Sequence, residues 1–241
     1  FLEAFKVGIS TATSAGNSGA SGDSTIYKLP PWAIVTANTQ HGRIFGYPIT
    51  VNPNSANPLG SIGLLASSDL APALTTNLMG KTLVWGDTHN NKDGCAAWPA
   101  GSISGKVALL QRGGCTFKEK LQFVQEGGGI FALVYNNQPG APIIMGTETG
   151  GVTIPAAMIS LEAGLEIEAV AGSPMTVNIL KDVTSGTRPE WGDILAQSSS
   201  RGPITNFEML EPDIAAPGTN VLAAYSGPGQ TDLMSGTSMA S

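Results

Sequence analysis

Charge is scarce in this chain. Only 12% of its 241 residues are Asp, Glu, Lys or Arg, and 12 basic against 18 acidic side chains leave a net charge of −6. A nucleic-acid binder needs a basic face to meet phosphates, so no nucleic-acid partner is expected. Long apolar runs are also missing. None approaches the roughly 20 residues that a bilayer-crossing helix requires, so no membrane span is expected. Histidine and cysteine occur only twice each. Two thiols without a nearby His or further Cys cannot complete a tetrahedral shell, so no metal site is expected at them. Cys95 and Cys115 stand 20 positions apart in one Gly-rich stretch. They either close a loop in an oxidising compartment, stabilising by about 3 kcal/mol on chain-entropy grounds, or stay as two buried thiols. No Asn-x-Ser/Thr sequon occurs, so N-glycosylation of this stretch is not expected.

Glycine and proline are abundant instead, at 31 and 16 residues, beside a hydrophobic fraction of 41%. That combination describes a loop-rich, strand-rich globular chain, long enough to bury a sizeable core. Low charge density with many Ser, Thr and Asn fits a secreted protein better than a cytosolic one. Both ends read as cut. Phe1 to Lys6 looks like the last turns of an amphipathic helix, and Gly236 to Ser241 stops where helix-forming residues have just begun. The expectation is therefore a fragment.

The rhythm of the first residues is that of a parallel α/β sheet: helix tail, a strand within Val7–Ala15, then the turn cluster Gly16-Asn17-Ser18-Gly19. Trp32 to Ala37 reads as a further strand. From 49 to 180 the texture changes to Asn, Pro, Ser and Gly with scattered apolar pairs. One unit is legible inside that stretch. Lys106 to Gln111 is a buried-type strand, and Thr116 with Glu119 forms a capping box. The helix it opens has Phe117, Leu121 and Val124 on one face, Gly127 to Gly129 close it, and Ile130 to Tyr135 is a second apolar strand. Strand, helix, strand implies a parallel crossover. Ile154 to Ile159 reads as another strand, and Ser160 caps a helix through Glu166 with Leu161 and Leu165 inward. Glu166 and Glu168 read as a wet face. The organisation expected is 1–48 and 181–241 forming one domain, interrupted by 49–180.

The sharpest chemical feature is Gly236-Thr237-Ser238-Met239-Ala240. A serine in a small-residue turn at a helix mouth exposes its hydroxyl and aims its own N–H at an incoming carbonyl. The bland alternative is a helix cap. Ser14-Ala15-Gly16-Asn17-Ser18-Gly19 is the second: an Asn amide held by glycines at a strand end is a suitable donor to a developing oxyanion, and also an ordinary turn. Spacing cannot link the two. Glu208, Glu211 and Asp213 cluster in sequence but lack the alternating oxygen-ligand spacing of a calcium loop, so a solvated loop with a structural Asp is expected.

Taken together, Ser14 to Gly19, Pro31-Trp32-Ala33, Ser199 to Pro203, Pro212 to Gly218 and Gly236 to Ser241 resemble, in order, the motifs of the subtilisin-like serine proteases. Gly105 to Leu109, Arg112 to Phe117 and Ile154 to Ser160 resemble the protease-associated (PA) domain inserted in large secreted members. The resemblance covers nearly the whole chain. It implies an α/β fold, a subtilisin-like parallel-sheet core that is incomplete, interrupted by a β-rich α+β PA domain. It also implies endopeptidase action on protein or peptide substrates outside the cell, with no cofactor. Ser238 would be the nucleophile and Asn17, with the Ser238 N–H, the oxyanion donors. Ser14, Ala15 and Gly16 would line the pocket for the residue before the cleaved bond. Met239 would be an oxidation liability.

One departure from the family pattern matters. Its catalytic order is Asp, His, Ser, with the Asn loop after the His, whereas His41 and His89 both follow Asn17. His41 falls in a surface segment and His89 in a polar loop. Residues 1–241 are therefore expected to lack the catalytic Asp and His and to be inactive alone, with a missing N-terminal segment of the same protease as partner. The rival reading is a catalytically inactive protein-binding module that uses the PA domain.

Overall fold

The computed structural model describes residues 1–27, 30–52, 58–146, 150–171, 175–203, 210–224, 229 and 231–241. These fall into two compact units, Phe1–Arg43 with Arg188–Ser241, and Ile44–Thr187. The second unit begins before residue 49 and ends after 180, because its outer strands run further than the texture change suggests.

The first unit opens with a short helix α1 (Leu2–Lys6), then strands β1 (Ala12–Ser14) and β2 (Ile34–Thr39). β1 lies parallel to β2, with Ser14 opposite Thr36. The small-residue stretch Val7–Ala15 supplies only three strand residues, since Gly8 takes a positive φ of 78° and turns the chain after the helix.

The second unit is built from β3 (Arg43–Asn52), β4 (Leu59–Leu65), β5 (Leu78–Trp85), β6 (Val107–Gln111), helix α2 (Phe117–Glu126), β7 (Phe131–Tyr135), β8 (Ala156–Ile159), helix α3 (Leu161–Glu168), β9 (Met175–Ile179) and β10 (Thr184–Thr187). The sheet runs β10-β3-β4-β8-β7-β6-β5-β9, and β9 also pairs with β3. Seven strands thus close into a barrel, which leaves no open edge among them. β5, β6, β7 and β8 run parallel to one another, Val107 facing Phe131 and Leu133 facing Ala157.

Strand alternation sorts the core. Phe131, Leu133 and Tyr135 of β7 point into the barrel with Val107, Leu109, Ala157, Ile159, Val177 and Ile179, all fully buried. Ala132 and Val134 point the other way, onto Leu121 and Val124 of α2. Both faces of β6 and β7 are covered, which is why they read as unbroken apolar runs. The capping box of α2 is present: the Glu119 N–H donates to Thr116 Oγ1 at 3.2 Å, and the Thr116 N–H donates to Glu119 Oε2 at 2.9 Å. The Thr116 N–H, and then the Thr116 hydroxyl, donate to the Glu119 carboxylate and hold it below the usual carboxylate range.

Helix α3 corrects the sequence reading. Ser160 does cap it, accepting from the Ala163 N–H at 3.2 Å, but Leu165 is 47% exposed. The buried positions are Gly164 and Ile167, with Leu161 partly covered. The face is set by Tyr135, whose ring lies where a Gly164 side chain would be. Rotating the helix to satisfy Tyr135 turns Leu165 outward and Glu168 inward. Glu168 is accordingly not a wet residue: it accepts from the Tyr135 hydroxyl and pairs with Lys92 Nζ at 2.9 Å. Burial, and then the hydrogen bond to Glu168, push the Tyr135 phenol well above its ordinary value.

The chain completes the first unit with β11 (Ile214–Pro217), β12 (Val221–Ala224), β13 (Thr231–Met234) and a one-turn helix α4 (Thr237–Ala240). β11 joins the other edge of β2 in parallel, giving a three-stranded parallel sheet β1-β2-β11. β12 and β13 form an antiparallel pair.

Candidate active site

The site is assembled from three loops of the first unit that are distant in sequence. After β1 the chain turns through Ala15 to Gly19. The Ala15 N–H donates to Thr36 O at 3.0 Å, so Ala15 sits in line with the sheet and packs against Ile26 and Val35. Ala15 is 1% exposed, so what it presents outward is backbone, while Ser14 and Gly16 are half-buried. Gly16 has a φ of 108°, and a Cβ there would meet Ser200 Oγ at 2.8 Å. The glycine is required on both counts.

The second loop is Ser198 to Arg201. Gly19 N–H donates to Ser198 O, Ser200 N–H to Gly16 O, and Ser18 N–H to Ser200 Oγ at 3.1 Å. The third is the turn into α4. Gly236 N–H donates to Gly218 O at 2.8 Å, which anchors that turn beside the end of β11.

Asn17 and Thr237 tie the first loop to the third. Asn17 Oδ1 accepts from the Thr237 N–H at 2.9 Å and from Thr237 Oγ1 at 3.0 Å, and Thr237 Oγ1 accepts from the Gly16 N–H at 3.1 Å. Because a backbone N–H can only donate, this network assigns the Asn17 amide orientation. Nδ2 then lies along Gly236, where a Cβ would come within 3.1 Å of it, and it has no acceptor among the described residues. Thr237 is fully buried, whereas Asn17 and Ser238 are exposed. The Ser238 N–H stands in the first turn of α4, where no intrahelical acceptor exists. Two N–H donors beside an exposed hydroxyl are suited to an oxygen atom that gains negative charge.

The two histidines are occupied elsewhere. His41 Nε2 lies 3.2 Å from Asn220 O, and His41 Nδ1 accepts from the Arg43 N–H at 3.1 Å. The ring therefore carries its proton on Nε2 and bridges two segments of backbone. His89 is not simply in a polar loop. It ends a short turn after β5, its ring edge-on to Trp98 at 5.7 Å between centroids. In the second unit Cys95 and Cys115 are joined as a disulfide.

Residues 79–167 match the PA domain. Over 96% of the chain, 30% of residues are identical to the C5a peptidase of Streptococcus pyogenes, of which 20% is covered. The subtilisin-like protease SBT3.16 of Arabidopsis thaliana is 32% identical over 96% of the chain and 28% of its own length. The chain is a relative of the subtilisin-like proteases and carries a PA domain. The minor extracellular protease Vpr of Bacillus subtilis is 32% identical over 50% of the chain and 14% of its own length. The chain thus spans between about one-seventh and somewhat over one-quarter of these curated relatives. No described helix is long and apolar enough to cross a membrane.

In this subtilase relative the acidic residues after Pro203 have a structural part. Asp213 Oδ2 accepts from the Val35 N–H at 2.8 Å, which registers β11 on β2. Glu211 is 5% exposed, so it is not in a solvated loop, and its Oε2 has no hydrogen-bond partner among the described residues. Glu208 lies outside the described residues. Burial first, and then the Asp213 charge, raise the Glu211 carboxyl to about 7. The folded state therefore holds a proton that the unfolded chain releases near the ordinary carboxylate value of 4.5. This contribution to stability is complete below about pH 4.5 and is lost as pH rises through about 7. Glu211→Gln is expected to remove that loss. Thermal melts at pH 5 and pH 8 check it, and parallel pH trends in the two proteins would contradict the assignment.

Sequence reasoning missed Thr237, Ser200 and Asn38. Thr237 is the residue that positions Asn17, and its only sequence signal is that it precedes the serine in a Gly-Thr-Ser turn. Asn38 Oδ1, wholly buried, accepts from Thr219 Oγ1 at 3.2 Å. Nothing in its neighbourhood in sequence distinguishes it from a surface Asn.

Proposed function

We propose that this chain is a segment of a secreted serine endopeptidase that hydrolyses protein or peptide substrates through an acyl-enzyme on Ser238. The unit of Phe1–Arg43 and Arg188–Ser241 belongs to its parallel-sheet catalytic core, and the unit Ile44–Thr187 is the inserted PA domain. The observation that carries the reading is the Asn17–Thr237 link, which brings an exposed Asn amide, its Nδ2 without an acceptor among the described residues, next to Ser238. Relatives named as subtilisin-like and extracellular proteases support the class and the compartment.

In the proposed mechanism Ser238 Oγ attacks the scissile carbonyl, and the negative charge that develops on the carbonyl oxygen is met by Asn17 Nδ2 and the Ser238 N–H. The general base is contributed from outside residues 1–241. His41 is unsuitable, since both of its ring nitrogens are committed to backbone. Asn17→Asp keeps an acceptor for the Thr237 N–H but removes the donor. In the intact parent it is expected to lower kcat by about 10²–10³ with little change in KM, a magnitude carried over from subtilisin itself. A loss confined to KM would assign Asn17 to substrate binding instead.

A further inference from the structure

Lys120 is the most unexpected buried group in the PA unit. It lies on α2, is 0% exposed, and forms no ion pair with a carboxylate among the described residues. Its Nζ donates to Asp93 O, to Gly113 O and, at 3.3 Å, to Cys95 Sγ. Three acceptors take three N–H bonds, which only the ammonium form supplies. Cys95 Sγ is further enclosed by Asp93 O at 3.8 Å, Gly113 O at 3.6 Å and the Gly114 backbone, on which a Cβ would come within 2.9 Å of the sulfur.

The partner sulfur stands differently. Cys115 is half-buried, as Cys95 is, but it immediately precedes Thr116, the cap of α2, and no Lys Nζ donates to its sulfur among the described residues. A helix start ordinarily favours a thiolate. Here that position is already occupied: Glu119 Oε2 accepts from both the Thr116 N–H and its hydroxyl at 2.9 Å. A carboxylate at the helix start offsets the dipole, so Cys115 gains little from it. Asp93 Oδ1 accepts from the Cys95 N–H at 3.1 Å and works against a thiolate at Cys95. The Lys120 ammonium donates to the sulfur itself, which a carboxylate cannot do, and this contact decides which sulfur leaves.

We propose that the Cys95–Cys115 disulfide is a thiol-exchange site polarised by Lys120, at which a small thiol adds to Cys115 and expels Cys95. The incoming thiol first loses its proton to solvent. Its thiolate attacks Cys115 Sγ, a new S–S bond forms there, and the Cys95–Cys115 bond breaks with its electron pair going to Cys95 Sγ. The incoming sulfur is oxidised and Cys95 is reduced. Lys120 holds the resulting thiolate without giving up its proton. The thiolate of a second small thiol then attacks the first thiol's sulfur in the mixed disulfide, forming a small-molecule disulfide and releasing Cys115 as a thiolate, which completes a two-electron reduction. The inference is independent of the protease reading, because every residue in it belongs to the second unit.

The test uses the folded wild-type chain with glutathione as the probe, iodoacetamide to trap released thiolate, and peptide mass spectrometry. Glutathione on Cys115 with alkylated Cys95 is expected to exceed the reverse isomer by about tenfold or more. The reverse isomer in excess, or equal amounts of the two, would overturn the proposal. So would absence of exchange in the folded chain when an unfolded control reacts. Lys120→Met is expected to abolish the preference and Lys120→Arg to retain it. If Lys120→Met does not fold, the wild-type partition decides alone.

Discussion

A fluorophosphonate probe applied to the intact parent protease is expected to form an adduct on Ser238, and Ser238→Ala is expected to abolish both the adduct and peptide hydrolysis. The expected loss in kcat is on the order of 10⁶, a value known for the nucleophile of subtilisin and carried over from it. Placement singles out this serine. Ser238 is exposed, the residue before it is fully buried, and that buried Thr237 is bonded to Asn17. Ser14 and Ser200 lie close to the same loops but are half-buried or 1% exposed, and Ser200 Oγ already accepts from the Ser18 N–H. Mapping the labelled peptide distinguishes the outcomes. A folded parent that takes no label on Ser238 would exclude an activated serine, and the protein-binding-module reading would replace the protease.

The second large effect is structural and concerns the PA unit. Gly164→Ala is expected to destabilise it by about 3 kcal/mol, read as a lower midpoint in denaturant. Helix propensity alone favours alanine here by up to about 1 kcal/mol. Sterics oppose it more strongly, because a Cβ would lie 2.3 Å from Tyr135 Cγ and 2.5 Å from its Cβ and Cδ2. Tyr135 is fully buried in the barrel and cannot swing aside. The helix must move instead, which separates Glu168 from the Tyr135 hydroxyl and from Lys92. A variant as stable as wild type would show that α3 is loosely docked.

Much of the second unit was legible because its signals are local. The capping box needs only residues 116 and 119, and the apolar runs of β6 and β7 need only strands covered on both faces. The errors fell where a neighbour distant in sequence set the outcome. Leu165 and Glu168 exchanged environments because Tyr135, in another strand, dictated the rotation of α3. Glu211 is buried next to Asp213, whose carboxylate accepts from the Val35 N–H of β2, a placement that its acidic surroundings in sequence argue against.

The sequence by itself determined the residue types available for chemistry, the alternation that makes the strands, and the ordered motifs that resemble subtilases. Each of these depends on covalent order and on preferences within a few residues. Only the tertiary structure decided that Asn17 meets Thr237 beside Ser238, that both nitrogens of His41 are engaged, and that Lys120 lies against the Cys95 sulfur. Those are contacts between segments up to 220 positions apart. Hydrogen bonds and burial select them only after the sheet has brought the loops together, so no local pattern encodes them.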